Sequence, residues 1–246
     1  MPLKHPDPFV SRAEGLDAAV NPYVALLRDG AASGSLPVVF GPRLQDFPGR
    51  WREHIRTFHG LAAPHRRLVI EIGCHKGVTL LEMAAAHPDC AFVGIDITFK
   101  RVVTTAQRAA NLGLTNVYCA LANAVAIDRL FAPAEVDACV IFFPDPWIKK
   151  KRQAKNRLVD APFCAKLGQT LAPGGFLWLK TDQEPYFTEA ASHLEAAGFR
   201  ALTEPQAGLL DRDYSSTFER RFQEQSLATH GGRWTIASQR NDEGSL

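Results

Sequence analysis

No apolar run in the 246 residues approaches the roughly 20 needed to cross a bilayer as a helix, so a helical membrane protein is not expected. Met1 to Pro8 hold three prolines, a lysine and a histidine but no hydrophobic signal core, which speaks against secretion and for a cytoplasmic protein. The five cysteines (Cys74, Cys90, Cys119, Cys139, Cys164) are odd in number, widely spaced and never arranged as Cys-x-x-Cys. That pattern excludes a disulfide framework and a zinc ribbon and reads as reduced, mostly buried thiols. His54, His59, His65 and His87 likewise lack metal-ligand spacing, and no metal is expected. Surplus charge of one sign is also missing: a formal net charge of +2 rules out a general polyanion binder. No internal repeat or low-complexity segment is present.

With 46% hydrophobic residues, the chain is long enough to bury a full core in one domain. Residues 1–65 read as a partly irregular N-terminal arm with a short helix around Tyr23–Arg28. From Leu68 onward, apolar runs with strand character (68–72, 91–96, 117–120, 136–143, 176–181) alternate with helical segments (77–87, 99–112, 124–130, 162–171, 184–197). Such alternation predicts an α/β fold, a mostly parallel sheet with helices on both faces, over residues 66–240. Pro173-Gly174-Gly175 reads as a turn before the fifth run. The rhythm breaks after Gly198, a last strand is expected over 233–238, and residues 241–246 read as a disordered tail.

What charge the chain does concentrate lies after the fourth apolar run. Phe143-Pro144-Asp145-Pro146-Trp147 places an acid and an indole at a strand end, and Lys149, Lys150, Lys151, Arg152, Lys155 and Arg157 follow without an acid among them. A carboxylate offers two acceptors to the N–H edge of guanine, its flanking prolines restrict the backbone, and an indole can stack on a base. The stretch therefore fits a guest that is a polyanion carrying flat rings. Two more acids close strand runs. Glu71 opens the loop Glu71-Ile72-Gly73-Cys74-His75-Lys76-Gly77, and Asp96 ends the next strand, suited to ribose hydroxyls. The loop is not Gly-x-Gly-x-x-Gly. An acid at its start repels a pyrophosphate and favours S-adenosyl-L-methionine over a dinucleotide. From the loop alone, a tight turn needing small residues explains it equally well.

The block Phe143–Arg152 with Lys155 and Arg157 resembles the bacterial tRNA (guanine-N7-)-methyltransferase family. So do Phe47-Pro48-Gly49-Arg50-Trp51, Glu71-Ile72-Gly73, Gly94-Ile95-Asp96, Leu171–Gly175, Leu179–Glu184 and Ser216-Thr217-Phe218-Glu219, together spanning about residues 45–238. The resemblance implies a Rossmann-like class I methyltransferase fold with a seven-stranded sheet, S-adenosyl-L-methionine as donor, and tRNA as partner, methylated at N7 of a variable-loop guanosine. It implies Glu71, Gly73, Gly77, Asp96, Asn123 and Asp145 at the donor, with Asp145 catalytic. It implies Lys149, Asp182, Ser216, Thr217, Phe218 and Glu219 at the nucleoside, and Lys150, Lys151, Arg152, Lys155 and Arg157 on the RNA backbone. Monomer and homodimer both remain open. The chain departs from the family pattern at His75, where the family has a glycine, mildly at Asn123, where it has an acid, and at Gln153, Asn156 and Ser216, where it has a His, an Arg and a Thr. Lys180 reads as a strand-end cap. An amino-methyltransferase, a paralogue with another RNA target and an RNA-binding protein with impaired donor binding stay as alternatives, with a nicotinamide oxidoreductase behind them.

Overall fold

The structure, a computed structural model, describes residue 9 and residues 21–147, 151–205 and 208–236. The expectations placed on Lys149, Lys150 and the tail lie outside these residues, as do the side chains of Lys151 and Arg152. In chain order the elements are α1 (Pro22–Ser33), β1 (Val38–Phe40), a 3-10 turn (Gly41–Asp46), α2 (Trp51–His59), β2 (Arg67–Ile72), α3 (Val78–Ala86), β3 (Cys90–Asp96), α4 (Phe99–Asn111) and β4 (Val117–Leu121). A 3-10 turn (Ala124–Ala126), α5 (Ile127–Leu130), β5 (Val136–Phe142), a 3-10 turn (Lys151–Asn156), α6 (Ala161–Thr170), β6 (Leu171–Thr181), α7 (Glu184–Ala196), β7 (Phe199–Leu202), α8 (Thr217–Glu224) and β8 (His230–Ile236) follow.

Local chemistry sets these boundaries. Asn21 Oδ1 accepts the Tyr23 amide ahead of Pro22, Asp160 Oδ1 accepts the Phe163 amide ahead of Pro162, and Ser216 Oγ accepts the Glu219 amide. Each oxygen satisfies an orphan donor of a first helical turn. β3 and β4 are buried along their whole lengths, which is why their sequences read as near-continuous apolar runs.

Among the described residues eight strands lie in the order β1-β4-β3-β2-β5-β6-β8-β7, one more than the seven expected. The additional strand is β1, whose Val38, Val39 and Phe40 pair in parallel with Cys119, Ala120 and Leu121. Three residues are too few to show a period, so β1 left no sequence signal. Among the described strands only β8 runs antiparallel, to both β6 and β7. The turn expected at Pro173–Gly175 is instead the start of β6, whose register against β5 shifts between Val136 and Ala138. Gly174 takes a φ of 77° there, as a strand irregularity built on glycine does.

One apolar cluster covers each sheet face. Both take in residues ahead of β2: Leu44, Phe47, Trp51 and Ile55 on one side, Leu27 and Val38 on the other. Trp51 Nε1 donates to the Leu130 carbonyl at 2.8 Å. The buried Glu135 carboxylate accepts the amides of Gly49, Trp51 and Ala132, so the Phe47–Trp51 motif serves packing. Strand order reverses between β2 and β5, and the crevice above their carboxyl ends is where such a sheet takes a ligand.

Candidate active site

A cavity of about 190 Å³ opens above that switch point. Glu71, Gly73, Asp96, Asn123, Asp145, Ser216, Thr217 and Phe218 all line it, contributed by five separate stretches of chain. Glu71, near the end of β2, is 4% exposed, and its Oε2 is buried without a hydrogen-bond partner among the described residues. Burial pushes its carboxyl up to about 8; the Leu80 amide opposes that rise and the neighbouring Asp96 adds to it. Asp96, at the end of β3, accepts the Thr98 amide at 2.9 Å on Oδ1, and on Oδ2 the His75 amide at 3.3 Å and Arg101 at 3.4 Å. Burial raises the Asp96 carboxyl as well, with Arg101 and the Thr98 and His75 amides pulling the other way.

The loop from β2 to α3 needs its glycines. Gly77 sits at φ 70°, and a Cβ there would meet Thr105 Cγ2 at 2.4 Å. Gly77 therefore shapes the loop without lining the cavity. Gly73 takes φ 78° beside the cavity, its amide held by the Ile95 carbonyl at 2.8 Å. His75 adopts φ 51° although it carries a side chain. Its carbonyl accepts from Thr105 Oγ1 at 3.2 Å, and its ring meets Phe218 edge-on with centroids 5.6 Å apart. Burial, followed by the charge of Arg101, lowers the His75 imidazole below its usual range. Neutral at pH 7, the ring brings no positive charge to the cavity. Asn123 turns its Oδ1 to the Val125 amide as the cap of a 3-10 turn.

Asp145 stands exposed at the mouth. Two non-glycine residues in the left-handed region flank it, Phe143 at φ 52° and Trp147 at φ 48°. Backbone strain of this kind persists only where surrounding contacts enforce it. Those contacts are present. The Phe143 amide donates to the Lys180 carbonyl at 2.8 Å, and Phe143 stacks on Phe222 at 5.5 Å. Arg157 Nε donates to the Pro146 carbonyl at 2.8 Å, while its guanidinium pairs with Glu189 and lies over the Tyr186 ring. Arg157 is thus engaged inside the chain, under the loop that carries Asp145. Trp147 is half-buried, with Nε1 enclosed and unpartnered among the described residues.

On the opposite wall, Ser216 caps α8 and Phe218 is 40% exposed over the cavity. Glu219 is buried and does not line the cavity; Lys180 Nζ donates to both of its oxygens, at 3.0 and 3.1 Å. Asp182, at the carboxyl end of β6, is half-buried outside the cavity lining and accepts from Gln183 Nε2 at 2.6 Å. Lys155 is exposed on its 3-10 turn. The sequence reading missed Ile97, Arg101, Ala122, Phe142 and Leu158 in the lining. Ile97 and Ala122 are chain neighbours of Asp96 and Asn123, so adjacency was a usable signal. Leu158 directly follows Arg157 at the end of the basic run, so adjacency marked it as well.

In shape the chain is similar to the 16S rRNA methyltransferase KamB, with a TM-score of 0.53 at 17% identity over 75% of this chain and 92% of that one. It is also similar to the [4+2]-cyclase SpnF, at 0.51 and 14% over 76% and 81%. Sheet order and switch-point cavity together define a class I methyltransferase fold. Residues 65–231 match the model of the family described as "Putative methyltransferase". The tRNA (guanine-N(7)-)-methyltransferase of Bdellovibrio bacteriovorus is 32% identical over 178 residues, 71% of this chain and 83% of that one. That of Geobacillus kaustophilus is 37% identical over 151 residues, 61% and 66% of the two chains. The chain belongs to the tRNA (guanine-N7-)-methyltransferase family.

Proposed function

We propose that this protein transfers a methyl group from S-adenosyl-L-methionine to N7 of a guanosine in tRNA, in the variable loop. Asp145 carries the reading: an exposed carboxylate fixed at the mouth of the cavity whose interior holds Glu71. The cavity suits the donor. A cationic, amino-bearing guest supplies what the orphaned Glu71 oxygen lacks, and Asp96 and Asn123 lie along the same wall for ribose and adenine. When bound, the donor supplies an electrophilic methyl group. Guanine N7 carries a lone pair outside the ring's π system, so nothing in the chain has to remove a proton. The chain's work is to position two partners and to oppose the positive charge that forms on the purine, for which Asp145 is best placed. Thr217 and Phe218 close the nucleoside side, and Lys155 with the neighbouring cations meets phosphates. A tRNA substrate supports a cytoplasmic reaction, with monomer and homodimer equally compatible.

Incubation of bulk tRNA with the protein and donor, followed by mass analysis of nucleosides, is the test. 7-Methylguanosine is expected; N6-methyladenosine in its place would sink the reading. Asp145→Ala should cut turnover by about 100-fold while leaving most tRNA affinity, and lost tRNA binding at unchanged turnover would contradict the role given to Asp145. His75, whose side chain reaches the cavity from a left-handed backbone, favours a second reading: a tRNA-binding protein with impaired donor binding. Calorimetric titration with S-adenosyl-L-methionine separates the two.

A further inference from the structure

Lys180 is one of few charged side chains buried among the described residues, at 7% exposed. Its three ammonium protons are all committed: to Asp213 Oδ1 at 2.7 Å, to the Tyr214 carbonyl at 3.0 Å, and to the Glu219 carboxylate at 3.0 and 3.1 Å. The ammonium also lies 5.0 Å from the Trp178 ring centroid and 5.1 Å from that of Phe142. A lysine so placed cannot serve as a phosphate contact or as a solvated strand cap. Its partners instead show what it holds. Asp213 and Tyr214 belong to the segment leading into α8, and Glu219 sits in the first turn of that helix, directly after the cavity-lining Ser216, Thr217 and Phe218. The backbone carbonyl of the same residue accepts the Phe143 amide at 2.8 Å, at the start of the lip that carries Asp145. Both lips of the cavity therefore meet at one residue, and their rings also pack together, Phe143 against Phe218 with centroids 6.5 Å apart and against Phe222 with centroids 5.5 Å apart.

We propose that Lys180 is a positioning residue that acts through Glu219, fixing the first turn of α8 so that Thr217 and Phe218 form the cavity wall facing Asp145. The proposal rests on the methyl-transfer reading above. It assigns Glu219 to the support behind that wall, not to the nucleoside. Helix capping alone leaves α8 short of such fixing: Ser216 Oγ takes one amide, and the helix is only eight residues long, below the length at which isolated helices hold together.

Lys180→Met removes the ammonium but keeps the backbone carbonyl and most of the side-chain volume, so it separates the two lips. Hydrogen exchange is expected to quicken at least about tenfold at the Glu219 and Arg220 amides, both bonded to Ser216, and to stay unchanged at the Phe143 amide. Equal exchange at Glu219 and Arg220 in variant and parent would overturn the proposal. Calorimetry with S-adenosyl-L-methionine should show donor affinity falling, since Thr217 and Phe218 border the donor cavity; unchanged affinity counts against the proposal. Kinetics on tRNA, measured well below the melting temperature of the least stable variant, complete the test with Lys180→Met, Glu219→Gln and the double variant. If Lys180 acts through Glu219, the double variant loses no more kcat/KM than the worse single one, within about threefold. Losses that multiply would show Glu219 working on the nucleoside by itself and would reject the assignment. If the parent protein fails to methylate tRNA at all, the methyl-transfer reading falls, and the exchange and donor-binding results still judge Lys180.

Discussion

Glu71 shows how one buried carboxyl couples the cavity to solution pH. Its folded-state pKa is raised from 4.5 to about 8, chiefly by burial. Between those values the folded chain keeps a proton that the unfolded chain has released. The stabilisation is therefore complete below 4.5 and is lost as pH rises through about 8. The amount at stake is on the order of a few kcal/mol. Glu71→Gln, which cannot ionise, should melt with a flatter dependence on pH across this window, and parallel curves for the two proteins would refute the account. A cationic guest beside Glu71 favours the ionised form. Donor binding near pH 7 should thus release a proton, seen as a calorimetric enthalpy that varies with buffer ionisation enthalpy in the parent and not in Glu71→Gln.

Single cations divide into two kinds that look alike in sequence. Lys155 is exposed, whereas Arg157, two residues on, spends its guanidinium on Pro146, Glu189 and Tyr186. Lys155→Ala should weaken tRNA binding and lower the salt slope by about 1. Arg157→Ala should leave the slope unchanged and reduce turnover, because the loop bearing Asp145 loses its support. A slope that falls with Arg157→Ala would return that residue to the phosphates. The basic run was legible as a run. Its inner division was not, since Glu189 lies 32 residues from Arg157 and nothing local marks the pair.

Elements were legible in proportion to how much of their burial is local. Central strands such as β3, buried at every position, announced themselves as apolar runs, and the boundaries of β2 to β5 moved by a residue or so, whereas β6 begins five residues early, through the Pro173–Gly175 stretch. Edge and capping elements did not. β1 has three residues and β7 four, with two of those exposed. α8 is mostly polar, with only Glu219 buried, and is held by the Lys180 contact together with the Phe218 and Phe222 rings against Phe143 rather than by a broad apolar stripe. The loop from β2 to α3 was recognisable by its acid and glycines, but the reason for Gly77 appears only when α4 packs against it. Gly77→Ala must hold an L-residue at φ 70° and press a Cβ to 2.4 Å from Thr105. The left-handed backbone costs about 1–2 kcal/mol and the overlap about 1–3 more. Denaturant melts should show a loss in that range, partly restored by pairing with Thr105→Ser, which removes the offending methyl group. No restoration would place the cost in the backbone alone.

At the scale of the whole molecule, the family match begins at residue 65, yet the interior begins earlier. Leu27, Leu44, Trp51 and Ile55 are fully buried, and each large apolar side chain so placed contributes about 1.5–3 kcal/mol. The connections are polar as well. Trp51 Nε1 reaches the Leu130 carbonyl, Glu135 takes the Gly49 and Trp51 amides, and β1 completes one edge of the sheet on β4. Removing residues 1–65 would therefore uncover both faces of the sheet at one edge and leave the buried Glu135 carboxylate with only the Ala132 amide of its three donors. Lost burial of apolar side chains and lost amide partners both count against the truncated chain. We expect residues 21–65 to unfold together with the sheet, so that calorimetry of the full chain shows one transition whose calorimetric and van't Hoff enthalpies agree. Glu135→Gln should lower the temperature of that single transition without splitting it. A separate early transition, or a soluble and cooperatively folded chain beginning at residue 66, would show instead that the segment ahead of β2 is an appendage to a core that stands without it.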